Sequence, residues 1–216
     1  MKRLEAARLY FVCEGLPDGR APDELLGAAL RGGAEMVQLR EKAPRCAEEL
    51  VALAEPFRRA ADAHEALFIL NDRPDLVAEC GADGVHVGQE DVPVADARAQ
   101  AGAEALVGLS THSPEQIDAA CSAGGGSRPD QISVGPVWET PTKEGRAAAG
   151  LELVRYAARH ASVPWFAIGG IDPDNVREVV AAGAERIVVV RAIRDAEDPE
   201  AAARSLRATL DSRASA

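Results

Sequence analysis

Short apolar runs alternate with amphipathic stretches along the whole chain. The runs fall at residues 9–13, 36–40, 67–71, 84–87, 106–110, 131–137, 164–169 and 186–190. Most lack the every-second-residue alternation of a half-exposed strand, so they predict parallel strands covered on both faces. The stretches between them carry readable helix signals. Pro22-Asp23-Glu24 starts one and Gly32-Gly33 ends it. Ser113-Pro114-Glu115 sets a capping serine before a first-turn proline, and Asp172-Pro173-Asp174 repeats the arrangement. The longest helix, from about Cys46 to His64, aligns Leu50, Leu53, Ala54 and Phe57 on one face.

Eight such β/α units predict a parallel sheet with helical crossovers. Gly32-Gly33-Ala34, Gly81-Ala82-Asp83 and Gly183-Ala184-Glu185 each precede a strand, where glycine ends a helix in a left-handed conformation. An open doubly wound sheet shares this alternation. It usually carries GxGxxG after the first strand, and Cys13-Glu14-Gly15-Leu16 is not that turn. The expected fold is therefore a single (β/α)₈ TIM barrel domain spanning residues 1–216. Gly124-Gly125-Gly126-Ser127 reads as a flexible loop before the sixth strand rather than a linker.

Composition narrows the function. The chain has 216 residues, 47% apolar and 27% charged, an ordinary globular mixture. No apolar run has the length of a membrane span, and Met1-Lys2-Arg3-Leu4-Glu5 is no signal region, so a cytoplasmic location is expected. The four cysteines lie far apart and read as reduced thiols, not a zinc site. A formal net charge of −11 argues against a nucleic-acid partner, so an anionic small molecule must be held by a local basic pocket. Only three of the 24 basic residues are lysines, and two of them, Lys42 and Lys143, sit inside motifs. Arginine-favouring codon bias or a salt-adapted source would each explain the scarcity. A homo-oligomer is compatible with the sequence.

The unusual residues gather at the carboxyl ends of the strands, where TIM barrels build their active sites. In Gln38-Leu39-Arg40-Glu41-Lys42, alternation sends Gln38, Arg40 and Lys42 to one side, which suits a polyanion such as diphosphate. Asp72 and Asp91 follow neighbouring strands and can approach one Mg²⁺. The blander assignments are an Asp72–Arg73 pair and Asp91 as a helix cap. Ser110 can donate to a phosphate oxygen, whereas His112, close to a helix start, is structural or catalytic. Thr140, Thr142 and Lys143 read as an anion-binding loop over the barrel mouth, with Trp138 packed or serving as an aromatic wall. The glycines of Ile168-Gly169-Gly170-Ile171 and the segment Val190-Arg191-Ala192-Ile193 fall at the usual phosphate-monoester position of such barrels.

Six ordered motifs resemble the thiamine-phosphate synthase family over nearly the whole chain. They are Gln38 to Lys42, Leu70-Asn71-Asp72-Arg73, Gly84-Val85-His86-Val87-Gly88-Gln89-Glu90-Asp91, Gly108 to His112, Thr140 to Lys143 and Ile168 to Ile171. The resemblance implies a transferase that joins 4-amino-5-hydroxymethyl-2-methylpyrimidine diphosphate to a thiazole phosphate and releases diphosphate. It implies that Gln38, Arg40, Lys42, Asn71, Ser110 and Lys143 hold the pyrimidine diphosphate. Among these, Arg40, Lys42, Ser110 and Lys143 would be the catalytic residues. Asp72 and Asp91 would bind Mg²⁺. Thr140 and Thr142, with the backbone of Gly170, Val190 and Arg191, would hold the thiazole phosphate. Many relatives have serine at the Arg191 position, so that side-chain contact departs from the family pattern.

Two other functions are compatible with a phosphate-binding barrel. One is a thiazole tautomerase-like paralogue using His112 for proton transfer, which would need neither aspartate. The other is a non-catalytic module that senses thiamine precursors, which would need no means of activating a leaving group.

Overall fold

The computed structural model describes residues 2–17, 22–139 and 147–213. Thr140, Thr142 and Lys143 lie outside the described residues. Eight strands close into a parallel barrel: β1 (Leu9–Cys13), β2 (Met36–Leu39), β3 (Leu67–Asn71), β4 (Gly84–Val87), β5 (Leu106–Thr111), β6 (Gln131–Val134), β7 (Trp165–Ile168) and β8 (Ile187–Val189). Each pairs with the next in sequence, and β8 returns to β1 with Leu9 opposite Ile187. The TIM-barrel expectation is met. Five strands have shifted ends, with β7 and β8 each one residue shorter at both ends. β2 stops at Leu39, β5 runs one residue further to Thr111, and β6 ends where Gly135-Pro136 cannot continue a ladder.

The helices are α1 (Lys2–Ala6), α2 (Pro22–Arg31), α3 (Ala47–Ala63), α4 (Val94–Ala101), α5 (Pro114–Ser122), α6 (Gly150–His160), α7 (Val176–Ala181), α8 (Arg191–Arg194) and α9 (Pro199–Arg213). Between β3 and β4 the connection is a 3₁₀ turn, Pro74–Leu76, instead of a full helix. Cys46 precedes α3, and its backbone N–H donates to Glu49 Oε2 at 3.0 Å. Ser113 accepts from the Gln116 N–H and caps α5 as its sequence predicted. Asp172 instead holds a turn, its Oδ1 accepting from the N–H groups of Asp174 and Asn175, so α7 begins only at Val176. The glycine stretch near residue 125 forms a short 3₁₀ turn, Gly125–Ser127. It is tied by Arg98, which donates to the carbonyls of Gly126 and Arg128.

Two layers of apolar side chains hold the barrel together. Outward-facing residues such as Phe11, Val37, Phe68 and Ile187 pack under Leu26, Phe57, Val179 and Leu206 of the helices. Inside the barrel, Tyr10, Met36, Leu67, Ile69, Leu106, Phe166 and Val188 form a second cluster. Leu4 and Ala7 join that cluster, so the short α1 plugs the amino-terminal end. Each fully buried large apolar side chain contributes about 1.5–3 kcal/mol.

Acidic residues fasten the amino-terminal end of the barrel. Glu35, Asp83 and Asp130 stand just before β2, β4 and β6. Each accepts backbone N–H groups at the start of the preceding odd-numbered strand: Arg8 and Leu9, Phe68, and Val107. Each also pairs with an arginine from the helical layer, Arg207, Arg58 or Arg98. Structural ties thus occupy one end of the barrel and leave the other end for the cavity.

Candidate active site

A cavity of about 480 Å³ opens at the carboxyl ends of the strands. Its wall has two unlike halves. From β2 to β6 the inward positions are polar: Gln38, Asn71, His86, Ser110 and Ser133, with Arg40 just beyond β2. From β7 through β8 to β1 they are Ile168, Val188, Val190 and Val12. An apolar pocket with a few convergent polar groups is the usual form of a small-molecule site.

Strand alternation explains the polar half. Gln38 lines the cavity from β2, and Arg40, one residue past its end, keeps the same side because its N–H still bonds the Cys13 carbonyl at 2.9 Å. The same alternation does not reach Lys42, because β2 has already ended at Leu39. Lys42 is exposed in the following loop and does not line the wall. Gln38 Nε2 donates to the Tyr10 hydroxyl at 2.5 Å. Burial pushes the Tyr10 phenol far above its ordinary range, so the hydroxyl keeps its proton.

Asp72 and Asp91 meet at the rim. Asp72 has a left-handed backbone, φ 59°, and its N–H is held by the His86 carbonyl at 2.9 Å. Its Oδ2 accepts from Asn71 Nδ2 at 2.5 Å. Asp91 Oδ2 accepts from the Gly88 N–H at 2.7 Å, and that oxygen lies where a side chain at residue 88 would begin. Desolvation against the wall, followed by the neighbouring Asp91 carboxylate, raises Asp72 to about 6; Arg40 and Asn71 oppose this. Two facing carboxylates, of which Asp91 disfavours the charge of Asp72, form a place for a cation. Among the described residues no third His, Cys, Asp or Glu joins them. A hard divalent ion with two protein carboxylates and open positions for water and phosphate oxygens fits this donor set, which is how Mg²⁺ is usually held. The alternative partner of Asp72, Arg73, is engaged by Asp75 at 2.7 and 2.9 Å.

Ser110 is buried at the cavity floor, and its carbonyl accepts from Gln89 Nε2 at 2.6 Å. His112 also lines the cavity; its Nδ1 lies 2.5 Å from the Gly135 carbonyl, which can only accept. Opposite them, Gly170 (φ 67°), Val190 and Arg191 line the apolar half, where the backbone can approach a ligand closely. The Gly170 carbonyl accepts from Asn175 Nδ2 at 2.8 Å, which fixes the turn. Trp138 packs into the outer core and not onto the cavity, so its role is packing. Tyr10, His86, Gln89 and Ser133 are wall residues to which the sequence assigned no role. For Tyr10, His86 and Ser133 the one signal was a polar side chain at an inward strand position, and Gln89, in the turn after β4, had none.

Comparison with known proteins agrees with this geometry. The thiamine monophosphate synthase family model matches residues 9–193. A thiamine-phosphate synthase from an Arthrobacter species is 51% identical and covers 98% of both chains. One from Thermobifida fusca is 50% identical over 100% of this chain and 97% of its own length. A solved thiamine phosphate pyrophosphorylase from Pyrococcus furiosus superposes with a TM-score of 0.84 at 30% identity, covering 99% of each chain. The chain belongs to the thiamine monophosphate synthase family.

Proposed function

We propose that this chain, a transferase of the thiamine-phosphate synthase type, divides its cavity between two phosphorylated substrates. The polar half takes 4-amino-5-hydroxymethyl-2-methylpyrimidine diphosphate, and the apolar half takes 4-methyl-5-(2-phosphoethyl)thiazole or its carboxylated form. The observation that carries this reading is the division itself: one cavity with a facing carboxylate pair, Arg40 and buried polar side chains on one side and aliphatic walls on the other.

In this reading Gln38, Arg40, Asn71, Ser110 and Lys143 hold the pyrimidine diphosphate, Lys42 reaches it from the exposed loop after β2, and Asp72 and Asp91 hold Mg²⁺. Bound Mg²⁺ supplies positive charge to diphosphate oxygens as their bond to carbon breaks. Arg40 adds a guanidinium that can meet two oxygens at once. The aminopyrimidine delocalises the charge left on its methylene carbon, which favours a dissociative path. Ile168, Val188 and Val190 offer the thiazole ring a wall without competing polar groups. Thr140 and Thr142, with the backbone of Gly170, Val190 and Arg191, hold its phosphate. The thiazole nitrogen attacks with a lone pair and has no proton to lose, so the step requires no general base. This reading extends to one domain over residues 1–216 acting on small molecules in the cytoplasm. Among the described residues no helix is long and apolar enough to cross a membrane.

The test is an assay of purified protein with Mg²⁺ and both substrates. Thiamine phosphate and diphosphate should form in equal amounts, and His112→Ala should retain the joining activity. No product, together with conversion of the thiazole tautomer alone by a His112-dependent route, would replace this reading with the tautomerase one.

A further inference from the structure

Beneath Ser110 lies a buried polar chain that the joining reaction does not obviously require. His86 Nε2 is 3.0 Å from Ser110 Oγ, and His86 Nδ1 is 3.3 Å from Gln131 Nε2. All three residues are buried, in a barrel interior otherwise filled by side chains such as Met36, Leu67 and Phe166. Space for the chain depends on Gly108. A Cβ there would stand 2.2 Å from Gln131 Nε2 and 2.5 Å from His86 Nδ1. Among the described residues Gln131 Oε1 has no hydrogen-bond partner, so this amide is buried at a cost that its Nε2 bond to the imidazole partly offsets.

We propose that Gln131 and His86 are positioning residues that set the direction of the Ser110 hydroxyl. The inference rests on the reading that Ser110 contacts the pyrimidine diphosphate. The amide nitrogen of Gln131 can only donate, so His86 Nδ1 accepts and carries no proton. In the neutral ring the proton therefore sits on Nε2 and is donated to Ser110 Oγ. With a lone pair of Ser110 engaged from below, its own hydrogen points away from the imidazole, toward the cavity. The site then presents an O–H donor to an acceptor atom of the first substrate, a ring nitrogen or a diphosphate oxygen. Ser133 Oγ, 3.4 Å from the same Nε2, is the more distant acceptor. Turning the Gln131 amide over would reverse each bond and make Ser110 donate inward, leaving the cavity without that donor.

Two measurements test this separately from the substrate assignment. Nitrogen-15 NMR of histidine-labelled protein should show His86 with its proton on Nε2, and Gln131→Glu should move it to Nδ1. An unsubstituted protein with the proton on Nδ1 would overturn the proposal, whatever Ser110 binds. In steady-state kinetics, Gln131→Met and Ser110→Ala should each raise KM for the pyrimidine diphosphate by roughly tenfold, the loss of one hydrogen bond. The thiazole KM should stay the same. The double variant should be no worse than either single one, because both remove the same contact. Fully additive losses would make Gln131 merely structural and sink the inference. An unchanged KM in Ser110→Ala, with the Nε2 proton in place, would instead show that Ser110 does not bind the first substrate.

Discussion

At the scale of single residues, Asp72 joins a left-handed backbone to a carboxyl raised from 3.8 to about 6, and the second feature favours a nearby cation. In the folded, metal-free chain it keeps its proton over a pH range where the unfolded chain has lost it. Folded protein binds more protons between those two values, so its stability falls as pH rises across that window and stays at the lower level above it. Asn tolerates the left-handed conformation and carries no charge, which makes Asp72→Asn a cleaner substitution than Asp72→Ala. In chelator, the Asn variant should melt above the unsubstituted protein at pH 7 and close to it at pH 4. Turnover with Mg²⁺ should fall by roughly 100-fold or more. Thermal melts and rates checked side by side would expose an error if the variant were less stable at pH 7. Asp72 and Asp91 were legible because acidic residues after buried strands have few structural reasons to recur. His86 and Gln131 were not. Their roles depend on cross-barrel distances that one strand's sequence does not contain.

At the scale of elements, the apolar runs and the helix stops carried most of the fold. β1, β3 and β4 have the predicted bounds, and Gly33, Gly81 and Gly183 adopt positive φ where a helix had to turn into a strand. The misjudged ends have local causes. The Gly135-Pro136 step truncates β6, and the Asp172 side chain delays α7. The α1 plug was not anticipated, since five residues give too little periodicity to mark a helix. The acidic ties at the strand starts were also hidden, because their partners are backbone groups of another strand. They make a specific prediction. Asp83 accepts from the Phe68 N–H, Arg58 and Arg3 at 2.9–3.0 Å. Asp83→Ala should cost about 2–3 kcal/mol in urea denaturation, as expected for charge-assisted bonds to a mostly buried carboxylate. Both KM values should be unchanged, because this end of the barrel does not touch the cavity.

At the scale of the whole molecule, the fold separates holding from acting. Acid–arginine ties close the amino-terminal end, and α1 fills the space beneath the barrel interior. The carboxyl-terminal end keeps Arg40 and Arg191 on a cavity wall within a protein of net charge −11. That overall charge repels a polyanion, and in the proposed reading the local site supplies attraction through its arginine and a bound cation. The most direct test is calorimetric titration of inorganic diphosphate into the protein, with and without Mg²⁺, repeated with Asp91→Asn. The account predicts binding at least about tenfold tighter with Mg²⁺ in the unsubstituted protein and no such gain in the variant. Equal affinity with and without Mg²⁺, or a gain that survives Asp91→Asn, would contradict a diphosphate–metal site on β2 to β5.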